Sequence, residues 1–542
     1  MFLRSPLLPR TLMTVAIAIA VAAGSTLAGT SAAADTKPLS SSTPVTVSSD
    51  ALPTVQVNGV VWAQVVVGDT VYAAGDFSTA RPAGAAAGSS TVARSNVLAY
   101  RLSTGALLST FAPRTNGAVR ALAASSDGST IYLAGSFTSV NGNTGVPYLA
   151  AVTASSGALV TSFRPQPNGG VYALARAGSS LYAGGAFTRL GGAARSRAAA
   201  VSTSGALQAW APAVPDGRVS ALVVNSGLGR VVLGGNFSGL NGVTTDHRGS
   251  GMVDTATGRT NLSWNAGIKV RNWGTDAAIT SLTSDGTNVY GTGYVYGTNG
   301  NLEGTFSAPW STGALRWVED CHGDTYSSAV LGSAVYTAGH AHDCSTIAGY
   351  PETSPRTHHR AIAFSTAAAG TVGHNTRAGY ADWFGNPRPA LLTWFPDFNT
   401  GTYTGQGQGP WSVTTTGSYV LYGGEFTTVN GKAQQGLVRF AVPSIAPNAD
   451  GPRVTTGDLA VTSTPVATTR TVTWTTVWDR DNESLTYSLK RNGVTIATRT
   501  VSSTFWRRPT VTVTDTAPGS APKYQVVVTD PYGNTRSGPT SS

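Results

Sequence analysis

Seven times the chain repeats one pattern: a pair of aliphatic or aromatic residues, two or three small ones, a glycine and, in most copies, a phenylalanine. It reads VYAAGDF at Val71–Phe77, IYLAGSF at Ile131–Phe137, LYAGGAF at Leu181–Phe187, VVLGGNF at Val231–Phe237 and VLYGGEF at Val420–Phe426. VYGTGYV (Val289–Val295) and VYTAGHA (Val335–Ala341) are worn copies. Short apolar runs bounded by turn formers predict strands. Each run follows a companion rich in small residues: VVWAQVVV (Val60–Val67), AVRALAAS (Ala118–Ser125), GVYALARA (Gly170–Ala177), RVSALVVN (Arg218–Asn225), AAITSLTS (Ala277–Ser284), TYSSAVLG (Thr325–Gly332) and PWSVTTTG (Pro410–Gly417). Turn formers such as Ser126-Asp127-Gly128 join the two as a hairpin. A third segment follows, such as NVLAYRL (Asn96–Leu102), then a fourth that ends in Phe/Trp-x-Pro at Phe111, Phe163 and Trp210. Proline suits an outer edge strand, because it has no N–H to offer a further neighbour.

The aligned glycines are Gly75, Gly135, Gly185, Gly235, Gly293, Gly339 and Gly424, at intervals of 60, 50, 50, 58, 46 and 85 residues. A period in this range with strand units predicts an all-β, seven-bladed β-propeller over residues 51–446. Small residues in the companion segments suit inner strands crowded about an axis. Pro53–Val57 is expected to complete the seventh blade. Residues 35–50, rich in Ser and Thr, read as a flexible lead. The widest interval holds a long insertion, Ala341–Gly409, where function tends to sit on a rigid scaffold. Pro443, Pro447 and Pro452 mark a linker. Alternating strands in 447–542, with a hairpin at Arg491-Asn492-Gly493, predict a small immunoglobulin-like sandwich, nearer the fibronectin type III kind.

Composition adds three points. Residues 1–34 read as a secretory signal peptide: Arg4 and Arg10, an apolar core at Leu12–Ala23, and Ala32-Ala33-Ala34 before the cleavage point. The expected product is secreted, extracellular and monomeric, with no membrane span in the mature chain. The two cysteines, Cys321 and Cys344, are then expected to form a disulfide. The net charge is +10, but no basic stripe interleaved with aromatics is present, so no nucleic-acid partner is expected. Acidic cell-wall polymers or anionic glycans suit that charge better.

The segments Gly135–Gly142 and Gly424–Gly431 share Gly-x-Phe-Thr-x-Val-Asn-Gly and resemble the delta-60-type β-propeller repeat. Asp320-Cys321-His322-Gly323-Asp324 and Gly339-His340-Ala341-His342 are similar to segments of secreted propellers from high-G+C Gram-positive bacteria. Trp478-Asp479-Arg480-Asp481-Asn482, with Thr529–Asn534, resembles the fibronectin type III-like domain that follows such propellers. The resemblance implies the two-part architecture and no particular activity.

Candidate chemistry concentrates near the cysteines. Strand alternation puts His340 and His342 on one face, a geometry for two metal ligands, with His322 or His359 as a third. Either these histidines hold a metal ion, the one cofactor the sequence suggests, or they cap the polar turns of an irregular blade. Asp324 stands beside them, and Trp383 and Trp394, in the long insertion, are candidates to stack on sugar rings. No Gly-x-Ser-x-Gly elbow, His-Glu-x-x-His or phosphate loop is present. The leading expectation is a binding or scaffold protein that recognises an extracellular glycan or cell-wall polymer through the propeller. The alternatives are an exported carbohydrate-active enzyme, a glycoside hydrolase or lyase, and a purely structural or adhesive surface protein.

Overall fold

The computed structural model describes residues 35–38, 43–260 and 263–541. The segment read as a signal peptide, 1–34, and residues 39–42 of the lead lie outside the described residues. The described chain is all-β. Every strand ladder is antiparallel, and helix is limited to Ala266–Lys269 and a 3-10 turn at Ser345–Ile347. No helix among the described residues is long and apolar enough to cross a membrane.

Seven sheets are meanders with the repeated glycine segment as second strand. Their opening strands are Val60–Val67, Val119–Ala124, Val171–Ala177, Val219–Asn225, Ala277–Ser284, Thr325–Leu331 and Pro410–Thr416. Each opening strand packs beside the opening strand of the next sheet, and the seventh packs beside the first. Two threonines of the seventh show its position: the Thr415 hydroxyl donates to Val330 O at 2.6 Å in the sixth sheet, and that of Thr414 to Gln64 O at 3.4 Å in the first.

Aromatic wedges fill the gaps between neighbouring sheets. Tyr72, Tyr132 and Tyr182 occupy the same place in three successive second strands and pack edge-on or tilted against Phe111, Phe163 and Trp210, with centroids 4.9–5.2 Å apart. Each tyrosine hydroxyl then reaches the following sheet, donating to the carbonyls of Ala154, Thr203 and Thr255. A buried aromatic thus supplies apolar area while its hydroxyl finds a partner.

The expected fourth strand forms fully in the fifth sheet (Trp317–Glu319) and the sixth (Pro387–Leu392). In the first three sheets it shrinks to single bridges at Leu107, Leu159 and Leu207. Proline does not account for this by itself, since the full fourth strand of the sixth sheet carries Pro387 and Pro389. The long insertion is also more ordered than expected: His359–Thr371 and Pro387–Leu392 are the third and fourth strands of the sixth sheet.

The lead is not loose. Val47 and Ser49 are buried. Ser48 N–H and Leu52 N–H donate to the carbonyls of Ala441 and Arg439 on the seventh sheet's third strand. The chain therefore joins the seventh sheet at 48–52, upstream of the expected Pro53–Val57, while Gln56–Val57 pairs with Thr79–Arg81. Arg439, fully buried, fixes the junction by donating to Thr54 Oγ1 at 3.2 Å and to the carbonyls of Pro53 and Leu102.

Residues 462–537 form two further sheets around their own core of Val472, Trp474, Leu485, Tyr487 and Val526. Their hairpin at Asn492-Gly493 has positive φ at both residues, as a type I′ turn requires.

The repeat glycine is a packing requirement. A Cβ on Gly135 would overlap the Ala118 carbonyl oxygen of the opening strand, whereas one on Gly227 would meet nothing closer than 3.5 Å. We expect Gly135→Ala to lower unfolding free energy by about 2 kcal/mol and Gly227→Ala to leave it nearly unchanged, read by urea denaturation.

Candidate functional site: the cavity ringed by seven bulges

All seven opening strands contain the same irregularity. Their register against the second strand slips by one residue at Trp62, Arg120, Tyr172, Ser220, Thr280, Tyr326 and Trp411. In every case the residue before the slip pairs with the repeat glycine: Val61 with Gly75, Val119 with Gly135, and so on to Pro410 with Gly424. A β-bulge leaves its extra residue unpaired and re-aims the side chain. Here the seven extra residues all line one cavity of ≈ 730 Å³, bounded by the opening strands.

Four of the seven are aromatic, and three of these are in continuous contact. Tyr326 packs on Trp411 at 4.3 Å and Trp411 on Trp62 at 5.1 Å. The Arg120 guanidinium lies 4.1 Å from the centre of the Trp62 ring, and that of Arg218 5.5 Å from Tyr172. Tyr294 and Tyr296, from the fifth sheet, stack in parallel at 5.9 Å, and Tyr296 is 73% exposed. Asp324, Gln406 and Ser136 add polar groups to the lining.

The histidines stand behind this lining. His340 Nε2 accepts the Asp324 N–H at 3.1 Å, so its proton sits on Nδ1, which faces Gln408 Oε1 at 3.0 Å and Tyr326 O–H at 3.3 Å. His340 thereby supports Tyr326 from outside the cavity. His342 Nε2 lies 3.2 Å from the Tyr380 hydroxyl and its Nδ1 3.4 Å from Glu352 Oε1. The His322 ring stacks on Tyr380 at 4.1 Å. Its nitrogens make no hydrogen bond, at 3.7 Å from Asp320 and 3.9 Å from Asp343. His359 is elsewhere, packed on Tyr350 and Phe505. Among the described residues no group of three or more His, Cys, Asp or Glu side chains could hold a metal ion. The expected set of His340, His342 and His322 does not converge, because the nitrogens of His340 and His342 face other partners. The Cys321–Cys344 disulfide is present across the sixth sheet's first hairpin.

Burial sets the titration of this region. It pushes the Glu319 and Glu303 carboxyls up to about 8, and those of Asp320 and Asp324 up to about 6. It lowers His342, His358 and His359 to about 4, leaving them neutral near pH 7.

Trp383 and Trp394 are not available to a ligand. Trp394 is fully buried against Tyr336, Tyr422 and Phe440. It begins Trp394-Phe395-Pro396, which makes it the sixth sheet's Phe/Trp-x-Pro wedge. Trp383 is 5% exposed and its Nε1 donates to Asn301 O at 3.1 Å. The rings that do face a cavity, Trp62, Tyr172, Tyr326 and Trp411, each follow the residue that pairs with the repeat glycine. That position runs Trp, Arg, Tyr, Ser, Thr, Tyr, Trp from copy to copy while its neighbours stay mostly small or aliphatic.

No family model matches the chain, and no curated protein matches it.

Glu319 offers a test of the buried acids. Its folded-state pKa is raised to about 8 from 4.5, so between these values the folded state holds a proton that the unfolded chain has released. Stability from this group therefore falls as pH rises, by up to about 1.4 kcal/mol per pH unit. The Tm of Glu319→Gln relative to wild type should climb from about pH 5 to about pH 8, and parallel pH profiles would reject this assignment.

Proposed function

We propose that the protein is a secreted binding protein: a seven-bladed β-propeller over 51–446, then a fibronectin type III-like sandwich over 447–542, with a glycan or cell-envelope polymer held at the central cavity. Support for the propeller comes from seven consecutive meanders whose opening strands are neighbours in cyclic order. Export is a reading of residues 1–34, and the resemblance to secreted delta-60-type propellers agrees with it.

One observation carries the binding reading: bulges at equivalent positions turn Trp62, Tyr172, Tyr326 and Trp411 into a shared cavity. Half-buried rings that could have packed between sheets instead face an open space. A sugar ring has an apolar C–H face that such rings cover, and its hydroxyls suit the Asp324, Gln406 and Ser136 groups beside them. Among the described residues, Asp324 is the only carboxyl group lining the cavity. Glycoside hydrolysis generally uses two carboxyl groups flanking one bond, so the lining favours binding over cleavage.

Titrating the intact protein with a panel of oligosaccharides, followed by tryptophan fluorescence, tests this. We expect a binder whose affinity falls roughly thirtyfold, about 2 kcal/mol, in Trp62→Ala and in Trp411→Ala. Binding unchanged in both variants would move the ligand to another surface. Sugar release from the same panel would restore the enzyme reading.

A further inference from the structure

Arg120 is placed where an arginine should have a partner, and it has none. Its guanidinium is half-buried over Trp62, its Nε is shielded from solvent without an acceptor, and no hydrogen bond or ion pair reaches it. Every other arginine shielded from solvent among the described residues donates to a carbonyl, hydroxyl or carboxylate. Arg439 takes backbone carbonyls, Arg480 takes Asp450, and Arg197 takes Val214 and Gly217. The nearest opposite charge, Asp76, lies beyond ion-pair distance, so the half-buried cation carries a desolvation cost that an incoming anion would offset.

A second guanidinium sits nearby. Arg218 stands just before the fourth sheet's opening strand, two residues ahead of its bulge residue Ser220, and its guanidinium reaches over Tyr172, the bulge residue of the third sheet. The Arg218 guanidinium donates to Ser220 Oγ at 3.2 Å and has no carboxylate within ion-pair distance among the described residues. Burial lowers the Arg120 pKa most, and the like charge of Arg218 adds to it. The cavity is therefore polarised. Arg120 and Arg218 form a cationic side, and Asp324 lies on the sixth sheet's side, where it accepts from the Tyr326 hydroxyl.

We propose that the cavity takes an anionic, hydroxyl-rich polymer, whose carboxylate or phosphate is received by Arg120 and Arg218 while a neighbouring ring or polyol face lies on Trp62 and Trp411. This rests on the binding reading above and names the ligand's charge. Guanidinium groups pair with carboxylate and phosphate through parallel N–H donors, and the water-poor setting over Trp62 strengthens that contact. Asp324, opposite, is placed to accept ligand hydroxyls and to disfavour a second anion there.

The test titrates the intact protein calorimetrically with three probes: a galacturonic acid oligomer, the same oligomer as its methyl ester, and poly(glycerol phosphate). Esterification removes the charge and leaves the sugar faces. We expect the acid to bind about tenfold or more tightly than the ester, with a difference that shrinks as salt rises. Arg120→Gln should abolish that difference, and Arg120→Lys should retain part of it. Neither variant should melt below wild type. Arg120-dependent binding of poly(glycerol phosphate) but not of the uronate also supports the anion pair and assigns its ligand to phosphate. Equal affinity for acid and ester, lost in Trp62→Ala, would overturn the anion assignment and leave glycan binding standing. No binding of any probe would overturn both.

Discussion

The close approach of each opening strand to its partner depends on glycine. At the bulge, the backbone of the opening strand comes so near the second strand that no Cβ fits opposite, and six of the seven repeat glycines meet a carbonyl oxygen there, as Gly135 meets Ala118. Once glycine admits the bulge, the next side chain must leave the ladder, and neighbouring strands give it one place to go. The cavity lining is thus a by-product of a backbone constraint repeated seven times. The constraint is indifferent to which side chain is extruded, so a ring of Trp, Arg, Tyr, Ser, Thr, Tyr and Trp can vary without disturbing the sheets that present it.

A second repeated device holds the sheets to one another. Tyrosines of the second strands wedge against the aromatic of the Phe/Trp-x-Pro segment and hand their hydroxyls to the next sheet. Rigidity at the periphery matters to the centre, because rings presented by strands keep their orientation better than rings on loops. His340 extends this support inward, bracing Tyr326 and the Asp324 backbone with its two nitrogens. The histidines expected as metal ligands face other partners, and the cavity is lined instead by Trp62, Tyr172, Tyr326 and Trp411.

Much of the fold was legible in the sequence because it repeats. The repeat glycines are the residues opposite the bulges, and the companion segments match the opening strands to within a residue or two. In the first three sheets the outer strands were legible only as aromatic wedges, since their pairing shrinks to one bridge each. Trp394 was misjudged because the alanine-rich run of His359–Thr371 does not look like a strand, so its Trp-x-Pro passed for loop. The site itself was hidden by arithmetic. A bulge shifts the two-residue alternation by one, and no residue type announces that shift. What the sequence displays is variability at one position among small neighbours, which gains meaning only once the seven positions share a cavity.

The anchoring of the lead also sets an order of events. Ser49 N–H donates to Asp481, 432 residues further along, and Leu52 pairs with Arg439. Neither contact can exist until nearly the whole chain has left the ribosome, roughly 20–90 s after the lead itself at ordinary synthesis rates. Early meanders can form locally as they emerge, because their strands are neighbours in sequence, but the junction of the first and seventh sheets has to wait. The central cavity is therefore left open along one seam while the chain is made, and its lining is complete only at the last step of folding.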